Sequence, residues 1–226
     1  DGYYIKKNCG STYPELIQKK VIEHKADIGI ALDGDSDRVI ICDETGKIID
    51  GDQILALIAL HYKENNILNG DTVVATQMSS ISFEKFLKSH DINLIRTKVG
   101  DRYVAKEMRR HDYRVGGEKS GHIILRDLTT TGDGLLASIK ILSRMVIKQC
   151  KASDALNLFK PLPQIIKNYR YVNQSPLKQQ KIINYIKQIE QDIENYGRLI
   201  VRESGTEPLI RVMVEGSKEE KNIQYA

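Results

Sequence analysis

Three short segments of this chain hold residue types that can do chemistry. Asp33-Gly34-Asp35-Ser36-Asp37-Arg38 places three carboxylates at alternating positions, with a glycine between the first two. Three such oxygens converging on one point suit a hard divalent cation, and Mg²⁺ takes oxygen ligands while keeping positions open for water or phosphate. Arg38 is not a metal ligand; it either neutralises a phosphate or locks the carboxylates. The competing reading is an acidic surface turn. The apolar runs on both sides weigh against that reading, and the spacing of a calcium-binding EF-hand is missing.

Gly116-Gly117-Glu118-Lys119-Ser120-Gly121-His122 is the second segment. Its glycines allow close backbone approach to a ligand. Glu118 and Ser120 face the same way if the segment is extended, and a carboxylate with a hydroxyl suits sugar hydroxyls. His122 is an acid, base or donor by type, and equally a structural histidine.

The third is Arg202-Glu203-Ser204-Gly205-Thr206-Glu207-Pro208, with Arg211 beyond it. Two permanently charged planar donors, two hydroxyls and a glycine-freed backbone make a candidate phosphate site. It is not a Walker A loop. A hairpin turn with surface arginines is the alternative. A weaker candidate is Lys98-Val99-Gly100-Asp101-Arg102-Tyr103, where Gly100 makes a turn, Asp101 caps a helix and Arg102 reaches substrate or solvent. Asp133 of Thr131-Gly132-Asp133-Gly134 reads most simply as another helix cap.

These segments need elements to hold them. Pro14 opens a short helix over 15–23, and residues 26–32 and 39–42 read as buried strands on either side of the acidic loop. From about Asp50 helices alternate with strands: helices at 53–62, 82–88, 103–110 and 135–149, strands at 72–76, 94–97, 114–115 and 122–125. That alternation predicts an α/β layer domain with a mostly parallel sheet. A connector with Pro161 and Pro163 follows. A strand at 165–172, one long polar helix over 176–193 and strands at 198–201 and 210–214 then predict a small α+β domain.

Bulk properties narrow the class. The 226 residues are 41% hydrophobic and 28% charged, enough for one large or two small domains. A net charge of +4, spread along the chain, fits a small anionic substrate and gives no sign of nucleic-acid binding. The longest apolar run, Ile54 to Leu60, is too short to span a membrane, and no signal peptide is visible. Cys9, Cys42 and Cys150 lack metal spacing and favour a reducing compartment, hence a cytoplasmic location.

In their order along the chain, the acidic, sugar and phosphate loops resemble the α-D-phosphohexomutase superfamily. Lys98-Val99-Gly100-Asp101-Arg102-Tyr103-Val104, Thr129-Thr130-Thr131-Gly132-Asp133-Gly134 and the run Ser204 to Gly216 narrow the resemblance to its phosphoglucosamine mutase family. The resemblance covers nearly the whole chain. It implies that Asp33, Asp35 and Asp37 bind Mg²⁺ and that Arg38, Gly100, Asp101, Arg102, Glu118, Ser120 and His122 meet the sugar phosphate. It also implies that Arg202, Ser204, Gly205, Thr206 and Arg211 clamp a phosphate. The implied fold is a set of mixed α/β layer domains followed by a small α+β domain. Residues 1–47 would end a second domain, 48–158 form a third and 159–226 a shortened fourth.

The implied reaction interconverts glucosamine 6-phosphate and glucosamine 1-phosphate through a phosphoserine and a bisphosphate intermediate. The family's Ser-His-Asn-Pro type nucleophile segment is not in this sequence. Ser79, Ser80, Ser82, Ser89 and Ser175 lack its context, and the chain starts at Asp1. The expectation is a C-terminal fragment, inactive alone, with a phosphorylated amino sugar and the missing N-terminal domains as partners, and neither nucleic acid nor membrane. The alternatives are a phosphomannomutase or phosphoglucomutase, or a non-catalytic phosphosugar-binding piece. Ser36 stands where the family more often has glycine, which is tolerable if the backbone there is not left-handed.

Overall fold

The computed structural model describes residues 9–205 and 207–226. They fall into two compact units, one ending at Lys160 and one running from Pro161 to Ala226.

In the first unit, helix α1 (Pro14–His24) begins with its proline, where the missing N–H is no loss, and ends on left-handed Lys25. Strands β1 (Ile28–Leu32) and β2 (Val39–Asp43) pair antiparallel, with Ile30 opposite Ile41 and Leu32 opposite Val39. The acidic hexapeptide is therefore a tight connection between two strands that bury apolar side chains. Strand β3 (Ile48–Ile49), which the sequence did not reveal, adds to the far edge of β2. Buried Asp43 closes the β2–β3 turn by accepting from the Thr45 hydroxyl at 2.6 Å and from the Lys47 N–H at 3.0 Å.

Helix α2 (Gly51–Glu64) starts where the Asp50 carboxylate accepts from the Asp52 and Gln53 amides. Every residue from Gly51 to Ala59 is buried. The apolar run Ile54–Leu60 is thus the central helix of the unit, apolar all round because it is covered all round. A four-stranded sheet is built from β4 (Thr72–Thr76), β5 (Asn93–Thr97), β6 (Val115–Gly117) and β7 (Ile123–Leu125), with α3 (Ile81–Lys88) and α4 (Asp101–His111) in the crossovers. Its order is β5-β4-β6-β7. Strand β4 runs parallel to β5 and β6, and β7 is an antiparallel edge. Alternation along β4 sends Val73 and Ala75 into the core containing α2 and α3, and Val74 against Val104 and Met108 of α4. Helix α5 (Gly134–Lys148) buries Ala137, Ile141 and Met145 and leaves Leu135, Ile139, Leu142 and Val146 exposed along a second stripe. Helix α6 (Ala152–Leu156) lies inside the stretch expected to be only a connector.

The second unit pairs β8 (Gln164–Arg170), β9 (Gly197–Glu203) and β10 (Leu209–Gly216) antiparallel in the order β8-β10-β9. Helix α7 (Gln180–Ile193) packs Ile189 and Ile193 against Leu199 and Val214. The expected single helix over 176–193 is split: Ser175 caps one 3₁₀ turn at Pro176–Lys178, and α7 begins afterwards. A short helix α8 (Glu219–Tyr225) closes the unit. Among the described residues no helix is long and apolar enough to cross a membrane.

Candidate functional site

In the first unit the β1–β2 turn gathers Asp33, Asp35 and Asp37, whose carboxylate oxygens lie within 4.8 Å of one another. Such a set can hold a divalent cation, and an all-carboxylate donor set favours a hard one. Arg38 folds back onto the acids instead of pointing away. Its Nε lies 2.8 Å from Asp33 Oδ2, and its backbone N–H donates to Asp33 Oδ1 at 3.1 Å. Of the two roles open to Arg38, locking the carboxylates is the one the geometry displays. Burial works against the charge on Asp33. The Arg38 backbone hydrogen bond, a hydrogen bond with Asp37 and the Arg38 guanidinium together outweigh it and hold that carboxyl below its ordinary value. Asp37 goes the other way: burial first, then neighbouring Asp33, pushes its carboxyl up.

Ser36 has φ of 61°. The condition under which serine would replace glycine without strain is therefore not met. The left-handed backbone turns the Ser36 carbonyl to accept from the Gly134 N–H at 2.9 Å, tying the acidic loop to the first residue of α5. Asp133 caps α5 by accepting from Leu136 N–H at 2.8 Å, the plain role its position implied.

The sugar loop is not extended. Past β6 the chain turns: Gly121 N–H donates to the Glu118 carbonyl and Glu118 N–H to the His122 carbonyl. The alternation argument for Glu118 and Ser120 therefore fails. Glu118 points toward the loop after β5, where its carboxylate accepts from Gly100 N–H at 3.0 Å, and Ser120 sits at the exposed tip. His122 is buried, with Nε2 3.4 Å from Asp37 Oδ2. Its ring lies against Gly132, where any Cβ would come within 2.4 Å of it. An isolated bridge between Arg38 and His122, with Val39 N–H donating to the Gly121 carbonyl, joins the acidic loop to the sugar loop through the backbone. Gly121 (φ 93°) is required there, since a Cβ would lie 2.0 Å from the Val39 carbonyl oxygen.

Gly100 occupies the cap position of α4 with φ of 126°, and Asp101 is the first helical residue. This corrects the expectation that Asp101 caps; as a first-turn acid it still favours the helix N-terminus. Arg102 is exposed and donates to the Tyr103 hydroxyl at 3.0 Å.

Sequence reasoning passed over the groups that hold these loops. Gly51 N–H donates to the Lys119 carbonyl at 3.0 Å, and Asp52, 1% exposed, accepts from Ser80 N–H at 2.7 Å. Arg96 donates to the Ser79 and Ser80 carbonyls at 2.6 and 3.2 Å. The only sequence signal was the acidic pair Asp50 and Asp52 ahead of an apolar run, which reads as simple capping.

In the second unit Arg202 and Arg211 stand opposite each other on β9 and β10, with Asn168 next in the row on β8. Facing partners in a sheet share a face, and like charges so placed repel unless an anion sits between them. The Nε of Arg211 is buried with no hydrogen-bond partner among the described residues. Ser204 and Gly205 form the turn between the strands, with Ser204 N–H donating to the Leu209 carbonyl at 2.9 Å. A Cβ on Gly205 would meet nothing within 4 Å. Thr206 lies outside the described residues.

Two family models match this chain: phosphoglucomutase/phosphomannomutase alpha/beta/alpha domain III over residues 50–162, and the phosphoglucomutase/phosphomannomutase C-terminal domain over residues 151–226. The phosphoglucosamine mutase of Parvibaculum lavamentivorans is 51% identical over 219 residues, covering 97% of this chain and 49% of that protein. A phosphoglucomutase/phosphomannomutase family protein from Burkholderia thailandensis superposes with a TM-score of 0.81 at 20% identity, covering 100% of this chain and 51% of that one. Aspergillus fumigatus N-acetylphosphoglucosamine mutase, solved in complex with GlcNAc-6P and magnesium, gives a TM-score of 0.76 at 18% identity, covering 96% of this chain and 55% of that one. Those two structural likenesses speak for the fold. The chain spans about half the length of the curated relatives it matches. It belongs to the phosphoglucomutase/phosphomannomutase family, within which its sequence is similar to phosphoglucosamine mutases.

Proposed function

We propose that this chain is the metal-, sugar- and phosphate-binding half of a phosphoglucosamine mutase, which interconverts glucosamine 6-phosphate and glucosamine 1-phosphate in the cytoplasm through a phosphoserine and a bisphosphate intermediate. The observation that carries the reading is the meeting of the acidic and sugar loops. His122 Nε2 reaches Asp37, and the two loops are joined through Val39 and Gly121. We read residues 1–47 as the end of a second domain, 48–158 as a third and 159–226 as a shortened fourth.

Asp33, Asp35 and Asp37 would hold Mg²⁺, which neutralises charge on a transferring phosphoryl group. Arg38 holds Asp33 and Asp37 in place, with its Nε 2.8 Å and 3.5 Å from their carboxylates. Glu118 and Ser120 bind hydroxyls of the sugar, with His122 beside them and the Gly100–Arg102 loop orienting the substrate. Arg202, Ser204, Gly205, Thr206 and Arg211 clamp the phosphate that is not being transferred. A fixed clamp lets either end of the sugar face the same serine, so positioning supplies much of the rate. The serine itself would come from domains outside this chain, which spans about half the length of the curated relatives. The exposed stripe Leu135, Ile139, Leu142 and Val146 is apolar surface of the kind a partner domain covers.

The test is a mutase assay on the chain alone and mixed with the separately produced first half of the Parvibaculum relative. Turnover of glucosamine 6-phosphate only in the mixture supports the reading. Preference for glucose or mannose phosphates in the mixture would favour a phosphoglucomutase or phosphomannomutase. Turnover by the chain alone would contradict the reading that the nucleophile comes from outside it.

A further inference from the structure

We propose that Asp52 is a positioning residue that locks three loops of the candidate sugar site into one ring, so that the orientation of Glu118 depends on it. The inference rests on the reading of Glu118 as a sugar ligand. The ring can be followed bond by bond. Asp52 Oδ2 accepts from Ser80 N–H at 2.7 Å. The turn before Ser80 is tied to the end of β5, where Gln77 N–H donates to the Thr97 carbonyl at 2.9 Å. Three residues on, Gly100 N–H donates to the Glu118 carboxylate. The Lys119 carbonyl accepts from Gly51 N–H, which returns the path to the residue beside Asp52. The ring encloses the carboxyl ends of the parallel strands β4, β5 and β6, where ligands of open α/β sheets bind.

Asp52 is the buried carboxylate of this ring. A charged acceptor makes a hydrogen bond about twice as strong as a neutral one. Its other charged neighbours are Asp50 on the same helix and Lys119 from the sugar loop, while Arg96, paired with Glu84, grips the Ser79 and Ser80 carbonyls from the far side of the turn. Glycine at 51 is what lets the two backbones come this close, since a Cβ there would lie 2.1 Å from the Glu118 carbonyl oxygen. Burial, and then Asp50, push the Asp52 carboxyl up to about 6, so its charge is within reach of a mild pH titration.

The experiment is amide NMR and hydrogen exchange on the whole chain, with calorimetric titration of glucosamine 6-phosphate, for the native protein, Asp52→Asn and Asp52→Ala. In the native protein the amide shifts of Ser80 and Gly100 should titrate together near pH 6. In Asp52→Asn, which keeps an acceptor, that titration should vanish while binding is largely retained. In Asp52→Ala the Ser80 and Gly100 amides should both exchange about tenfold faster, and sugar phosphate affinity should fall about tenfold. Changes confined to Ser80, in the native titration or in Asp52→Ala, would overturn the proposal. If Asp52→Ala does not fold, the native and Asp52→Asn titrations decide alone. Absence of glucosamine 6-phosphate binding by the native chain, with the amides coupled as described, would sink the functional reading and leave the ring standing.

Discussion

The Gly100 amide donates a 3.0 Å hydrogen bond to the carboxylate of Glu118, eighteen residues later in the chain. A loop that reads as a helix start and a loop that reads as a sugar site are thereby one piece of structure. Replacing Glu118 with Ala leaves the Gly100 N–H without this acceptor. We expect a loss of about 1–2 kcal/mol in folding stability by urea denaturation, with Glu118→Gln losing clearly less.

Ser36 gives a prediction of the opposite sign. Its φ of 61° is strained for a residue with a Cβ, and its side chain is exposed. Ser36→Gly should stabilise the chain by about 1 kcal/mol, after allowing for the greater freedom of glycine in the unfolded state. The same denaturant series measures it.

Two glycines should behave very differently when changed to alanine. Gly121 combines φ of 93° with a carbonyl oxygen 2.0 Å from the new Cβ, and its own carbonyl receives Val39 N–H. Gly121→Ala should cost more than about 3 kcal/mol. Gly205→Ala enters open space and should shift stability by less than about 0.5 kcal/mol. Its effect should appear in phosphate binding instead.

The pH dependence of stability carries opposite signs at two buried acids. Asp52 has a folded value of about 6 against an ordinary 3.8, so the folded state binds its proton more tightly. Stability should therefore fall as pH rises from about 4 to about 6, by roughly 2–3 kcal/mol, and Asp52→Asn should flatten that slope. Burial opposes the charge of Asp43, but the Thr45 hydroxyl and the Lys47 and Thr45 amides hold its carboxyl below the ordinary value. Its contribution is present above pH 3.8 and lost as pH falls below it. Equilibrium denaturation at stepped pH resolves the two.

Much of the scaffold was legible in the sequence because its signals are local. Pro14 marked α1, the small apolar residues before Asp33 marked β1, and alternation of helix and strand periods marked the four-stranded sheet. Strand β3 has two residues and α6 five, too few for any period to show. The split before α7 depends on the Ser175 hydroxyl closing a 3₁₀ turn, which its apolar pattern does not record. Within the candidate site the residue types were readable and their arrangement was not. Glu118 and Ser120 had a spacing that implied a shared face only for an extended strand, and a turn held by the Glu118 carbonyl removed it. Asp52 drew no notice in the sequence because its partner, Ser80, is brought to it by the fold and not by sequence proximity.

Calorimetric titration of the chain with glucosamine 1,6-bisphosphate, with and without Mg²⁺, on the native protein and on Glu118→Ala and Arg211→Ala, decides whether these loops form a sugar-phosphate site. Mg²⁺ should strengthen binding, and each substitution should weaken it by about tenfold or more, roughly the worth of one charged hydrogen bond. A folded native chain that releases no heat, or binding indifferent to both substitutions, would rule that site out.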